Sequence, residues 1–139
     1  MSLITSIPAP PALVAPACTM AQILIVDDDE DVLLNLERVL EDQGYATATA
    51  NSYGEAFASL LRRNFDLLVL DDHLSNTDSI EIVAELQSSK LMPPFVVVTY
   101  YCRPSDGERA RLCGLGVSAL ISKLAHEELA RTVRKMLEF

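Results

Sequence analysis

The sequence predicts an α/β domain in which a five-stranded parallel sheet carries helices on both of its faces. Three observations lead there. Five short apolar or β-like runs alternate with five amphipathic segments, with no internal repeat and no linker, and strict alternation implies parallel strands joined by helical crossovers. The ILIV run at 23–26 is apolar at every position, as a strand covered on both faces must be. Half of the 139 residues are hydrophobic and only 6% are aromatic, which suits an aliphatic core the size of one domain. For five strands in this rhythm the flavodoxin-like order 2-1-3-4-5 leads, making a doubly wound sheet.

Each element has its own warrant. After ILIV, residues 30–43 place Val32, Leu33, Leu36, Val39 and Leu40 on one helical stripe, and Gly44 stops it. YATATA (45–50) alternates threonine with alanine as a short strand does. Ser52 and Glu55 form a capping-box pattern ahead of Ala56, Phe57, Leu60 and Leu61. LLVL (67–70) is the third strand. Asp78 and Glu81 open a helix with Ile82, Val83 and Leu86 inward, and Pro93-Pro94 break it before FVVV (95–98). Ser105 and Glu108 cap a short fourth helix that ends near Gly114. VSALI (117–121) is the fifth strand, and residues 126–138 form a last helix with Leu129, Val133, Met136 and Leu137 inward.

Residues 1–19 stand apart. They are apolar but interrupted by Pro8, Pro10, Pro11 and Pro16, and no Lys or Arg precedes Arg38, so the basic region of a secretory signal is missing. Met20 begins MAQILIVDDD in the manner of a natural start. Residues 1–19 are therefore expected to be an extension, disordered or added upstream, with the domain proper at 20–139. No apolar stretch is long and uninterrupted enough for a bilayer, so no membrane partner is expected. The formal charge of −9 argues against direct contact with nucleic acid, which demands Lys/Arg patches. Cys18, Cys102 and Cys113 are odd in number and lack zinc-ligand spacing. Free thiols in a reducing cytoplasm are the expectation.

The chemistry lies where the apolar runs end. ILIV runs into Asp27-Asp28, LLVL into Asp71, FVVV into Thr99 and VSALIS into Lys123. In the order 2-1-3-4-5 the chain reverses between strands 1 and 3, and ligands bind beyond the carboxyl ends of strands at such a switch point. Three carboxylates, a hydroxyl and an ammonium would then meet at one sheet edge. Neighbouring carboxylates repel unless one is protonated or a hard cation joins them. Mg2+ takes carboxylate oxygens and is typically completed by phosphate oxygen, and a carboxylate can itself accept a phosphoryl group. Lys123 can balance the phosphoryl charge, and the Thr99 hydroxyl can donate to a phosphoryl oxygen.

With those residues in order, residues 21–138 resemble the receiver domain of two-component response regulators. The family has an acidic pair after strand 1 (here Asp27-Asp28), a phospho-accepting aspartate after strand 3 (Asp71) and a further aspartate seven residues on (Asp78). It has a hydroxyl residue after strand 4 (Thr99) and a lysine after strand 5 (Lys123). The resemblance implies a phosphorylation-dependent signalling switch rather than an enzyme acting on a separate substrate. Asp71 would accept a phosphoryl group from a sensor histidine kinase or phosphotransfer protein, catalysing its own modification and slow autodephosphorylation. Asp28, Asp71 and the main-chain carbonyl of His73 would ligate Mg2+, and Asp27 would hold a water of that ion. Lys123 would pair with the phosphoryl group, while Thr99 moves toward it and repacks the face of helix 4, strand 5 and helix 5, through which a homodimer would form.

Several positions depart from the family pattern. Leu120 replaces the strand-5 aromatic, so its usual coupling to the hydroxyl cannot operate in that form. Leu124 replaces the proline after the lysine, and a trans peptide bond is expected there because a non-proline cis bond costs roughly 3 kcal/mol. Tyr100, in place of a small residue, is expected to shield Asp71. Ser75-Asn76 and Ser79 replace the proline and glycines after strand 3, Asp72 adds a carboxylate, and His73 and Tyr101 are expected to flank the acceptor. These departures motivate a second reading, a degenerate receiver acting as a constitutive protein-interaction module. A third, an aspartyl-phosphate phosphatase, needs a general-acid aspartate two residues past the nucleophile, where His73 stands.

Overall fold

The computed structural model describes residues 20–138; the expected extension at 1–19 lies outside the described residues. The five strands are β1 (Gln22–Val26), β2 (Ala46–Ala50), β3 (Leu67–Asp71), β4 (Phe95–Tyr100) and β5 (Ala119–Ser122). They form one parallel sheet in the order β2-β1-β3-β4-β5, the expected 2-1-3-4-5. The helices are α1 (Glu30–Asp42), α2 (Tyr53–Arg62), α3 (Ser79–Ser88), α4 (Asp106–Gly114) and α5 (His126–Leu137).

Alternation along each strand divides the core into two. Leu24, Val26, Leu68, Leu70, Val96 and Val98 face α2, α3 and α4, meeting Ala56, Leu60, Ile82, Val83, Leu86 and Leu112. Ile23, Ile25, Leu67, Val69, Val97 and Ile121 face α1 and α5, meeting Leu33, Leu36, Leu40, Leu129 and Val133. The inner strands β1, β3 and β4 read as near-continuous apolar runs because both sides are covered, whereas edge strand β2 reads ATATA.

Helix boundaries follow local chemistry. The Ser105 hydroxyl accepts from the Glu108 amide and the Glu108 carboxylate accepts from the Ser105 amide, a complete capping box. At α2 the box is displaced by one residue: Ser52 accepts from the Glu55 amide, but Glu55 accepts from Asn51. Gly44 sits at φ +96 just past α1, a conformation that favours glycine. Helix α4 ends at Gly114 as expected, with the left-handed turn made two residues on by Gly116 at φ +106. One end differs from the sequence expectation. Helix α3 stops before Pro93-Pro94, because Lys90 at φ +59 already turns the chain.

The segment after β3 was not expected to be regular. Residues His73–Leu74 and Thr77–Asp78 form a small antiparallel hairpin turning at Ser75-Asn76. Buried Leu74 anchors one of its arms in the core. The Asp78 carboxylate accepts from the Glu81 amide and so caps α3; this matching aspartate serves the helix rather than the acidic cluster.

Candidate phosphoryl-acceptor site

Strand register assembles the site. Val26 pairs with Leu70, so the next residues, Asp27 and Asp71, leave neighbouring strands side by side. Asp71 pairs with Thr99, and Tyr100 pairs with Ser122, one residue before Lys123. The Lys123 amide donates to the Tyr100 carbonyl at 2.9 Å, which fixes the turn that carries the lysine. Residues 96, 52 and 24 positions apart in the chain thus reach one sheet edge because in-register parallel strands end together.

The ammonium of Lys123 lies 2.8 Å from Asp27 Oδ2 and 2.8 Å from Asp71 Oδ1. All three side chains are buried: relative exposures are 1% for Asp27, 3% for Asp71 and 6% for Lys123. The Asp27 Oδ2 contact is close but poorly directed, leaving that oxygen without a well-formed hydrogen bond. Asp27 Oδ1 accepts from the Asp29 amide at 2.9 Å, and Asp71 Oδ1 accepts from the His73 amide at 3.2 Å. Thr99 is buried beside Asp71. Asp28 alone of the three clustered carboxylates is exposed.

Burial pushes the Asp71 carboxyl up to about 6; close contact with Lys123 opposes this, the charge of Asp27 adds to it, and Lys123's charge and the His73 amide oppose it further. Burial alone would depress the Lys123 ammonium, but the contacts and charges of Asp27 and Asp71 outweigh it and hold the pKa above 10.5. The buried pair therefore keeps a cation in place while making the second carboxylate reluctant to ionise.

Carboxylate oxygens of Asp27, Asp28 and Asp71 lie within 4.8 Å of one another. Three carboxylates against one ammonium leave two negative charges uncompensated. Opposite ligands of an octahedral Mg2+ are about 4 Å apart, so the oxygen-only donor set, its spacing and its charge all fit a hard divalent cation.

The acidic cluster opens into a cleft of about 390 Å³, also lined by His73, Tyr101, Arg103 and Glu108. Tyr101 covers the lysine: its exposed ring lies with its centroid 4.6 Å from the Lys123 ammonium, a cation–π contact. Tyr100, expected to shield Asp71, does not line the cleft. It is the last residue of β4 and pairs with Ser122, and strand alternation sends neighbouring side chains to opposite sides.

Other departures from the family pattern acquire physical meaning. Asp72 does add a carboxylate to the cleft beside Asp71; its Oδ1 accepts from the buried Ser79 hydroxyl at 2.8 Å, and its amide donates to the Thr99 carbonyl. Leu120 packs from a partly buried position against the cluster under α2, α3 and α4. Leu124 is 82% exposed, and its peptide bond to Lys123 is trans, as expected. His73 places its amide on Asp71 while its side chain stays exposed.

This combination, an acidic pocket with a buried lysine at the carboxyl edge of a 2-1-3-4-5 sheet, is that of a receiver module. The chain belongs to the response regulator receiver domain family, which it matches over residues 23–134. It is 32% identical over 117 residues to the alginate biosynthesis transcriptional regulatory protein AlgB of Pseudomonas aeruginosa, covering 84% of this chain and 26% of that protein. It is 36% identical over 98 residues to the alkaline phosphatase synthesis transcriptional regulatory protein PhoP of Bacillus subtilis, covering 70% of this chain and 39% of that one. The chain thus spans about a quarter to two-fifths of these relatives. Among solved structures, a CheY-like receiver domain from Methanospirillum hungatei superposes with a TM-score of 0.78 at 23% identity, over 86% of this chain and 95% of that one. TrrA from Thermotoga maritima, in complex with Mg2+ and beryllofluoride, gives 0.72 at 25% identity, over 85% and 100%. Among the described residues, no helix is long and apolar enough to cross a membrane.

Membership of this family brings phosphorylation-dependent switching, with self-phosphorylation and dephosphorylation as the domain's chemistry, and implies a histidine kinase or phosphotransfer protein as partner.

Proposed function

We propose that Asp71 is the phosphoryl acceptor of this switch, with Lys123 and Thr99 as its catalytic partners. The observation that carries this reading is the Lys123 ammonium at 2.8 Å from both Asp27 and Asp71 inside a buried acidic pocket. An Asp71 carboxylate oxygen attacks the phosphorus of a phosphohistidine. The P–N bond breaks as the P–O bond forms, the leaving imidazole takes up a proton, and Asp71 becomes an acyl phosphate. Lys123 keeps its hold on Asp27 and turns its charge to the phosphoryl oxygens. The Thr99 hydroxyl donates to one of those oxygens.

Asp28, Asp71 and the main-chain carbonyl of His73 would hold Mg2+, and Asp27 would hold one of its waters. Bound there, the ion supplies charge neutralisation for the transferring group. The acceptor's raised pKa supports this assignment, since a cation relieves the repulsion that resists ionisation. The output surface is the face of α4, β5 and α5, a candidate homodimer contact bordered by exposed Leu124.

The test is intact mass after incubation with acetyl phosphate and Mg2+. The wild type should gain one phosphoryl group and Asp71→Asn none; equal modification of both would refute the acceptor assignment. Metal-dependent trapping of beryllofluoride separates this reading from the constitutive module. A receiver that no longer cycles phosphate would fail both assays.

A further inference from the structure

Asp28 is the exposed member of the acidic cluster. A free carboxylate side chain at the surface samples several rotamers, and ordering it opposes metal binding. Asp28 is not free: the Ser75 hydroxyl, 47 residues away, donates to its Oδ2 at 3.1 Å. Ser75 does not line the phosphoryl cleft. It lines a separate cavity of about 180 Å³ between the hairpin turn and the start of α2. Its hydroxyl therefore reaches Asp28 from outside the cleft and leaves the cleft side of the carboxylate open.

The hairpin fixes where that hydroxyl stands. Leu74 is buried in the core, the His73 amide is bound to Asp71, and the Ser79 hydroxyl and amide both bind Asp72. At the far end Asp78 caps α3. Ser75 sits at the turn of a loop tied at both ends, which suits a group that must hold a partner in one orientation.

We propose that Ser75 is a positioning residue for the metal site, holding Asp28 in its ligating orientation before the cation arrives. This rests on the proposed function, in which Asp28 is a Mg2+ ligand. Donors placed behind a metal-ligating carboxylate typically change affinity by tenfold or more when removed; an exposed one should do less. Ser75→Ala should therefore weaken Mg2+ binding about three- to tenfold. Ser75→Thr, which keeps the hydroxyl, should restore affinity, and Asn76→Ala, in the same turn, should leave it unchanged.

Titration calorimetry with MgCl2 reads the affinity directly, without phosphoryl transfer. Metal-free thermal unfolding of each variant shows whether the hairpin has kept its place. Wild-type affinity or tighter binding in Ser75→Ala would overturn the positioning role alone. So would an equal loss in Asn76→Ala, or a loss that tracks a lowered unfolding temperature and is not rescued by Ser75→Thr. No Mg2+ binding by the wild type would overturn the metal assignment and this inference with it.

Discussion

Removing the charge of Asp71 should stabilise the protein, and the effect should depend on pH. Burial pushes the folded carboxyl up to about 6, against about 3.8 for a solvated aspartate. Between those values the folded state holds a proton that the unfolded chain has released. Stability carried by the neutral carboxyl is therefore fully present below about 3.8, falls as pH rises through about 6, and is flat above. A shift of about two units, at about 1.4 kcal/mol each, corresponds to about 3 kcal/mol. The cause is the burial of Asp71, at 3% exposure, beside the carboxylate of Asp27.

Asparagine has the size of the protonated acid and no charge, so Asp71→Asn should avoid this penalty. In chelator at about pH 7.5 it should raise the unfolding free energy by up to about 3 kcal/mol, or roughly 10 °C in Tm for a domain of this size. At about pH 4, where both side chains are neutral, the two proteins should differ little. Millimolar Mg2+ should narrow the gap at pH 7.5, because the ion favours the ionised acceptor of the wild type. Urea unfolding followed by far-ultraviolet circular dichroism at several pH values measures all of this. The reasoning is refuted if Asp71→Asn is less stable than the wild type at pH 7.5 without metal, or if the difference does not change with pH.

Lys123→Ala should have the opposite sign: it leaves Asp27 and Asp71 buried together without their cation, and denaturation near pH 7.5 should show a loss of roughly 3 kcal/mol. Part of that loss should return with Mg2+. Leu40→Ala, at a position with no exposed surface in the cluster beneath α1 and α5, should cost about 2–5 kcal/mol by the same assay without changing Mg2+ affinity. Gly44→Ala should cost about 1 kcal/mol through conformation alone, because an added Cβ meets nothing within 4 Å while φ stays at +96; a neutral result in thermal unfolding would show that the turn relaxes.

The sheet was legible in the sequence because four of its five strands lie in short apolar runs, the remaining one, ATATA, alternates, and the strand order follows from the alternation of strands with helices. The acidic pocket was legible for a related reason. Asp27 immediately follows β1, Asp71 ends β3 and Thr99 is the last residue but one of β4, so the register that pairs Val26 with Leu70 and Asp71 with Thr99 brings them together. Lys123 obeys the same rule one residue past β5. Helix starts were legible through Ser52, Asp78 and Ser105, whose side chains accept from amides three residues on. The end of α3 was not, because the turn is made by Lys90 in a left-handed conformation for which the sequence carries no glycine.

What the sequence left hidden lies in pairs of polar side chains without periodicity. Asp72 reads only as an extra charge until Ser79 is seen to donate to it, and Ser75 reads as a loop residue until it is seen to hold Asp28. Both serines stand where the family pattern has proline or glycine, and each supplies a hydroxyl that neither residue could. The segment after β3 is thereby fastened by side chains: Ser79 ties its base to Asp72, and Ser75 ties its turn to the acidic pair after β1. Phosphorylation of Asp71, as proposed, would change the charge between these two fastenings. Movement of the hairpin is thus opposed by side-chain hydrogen bonds on both sides of Asp71.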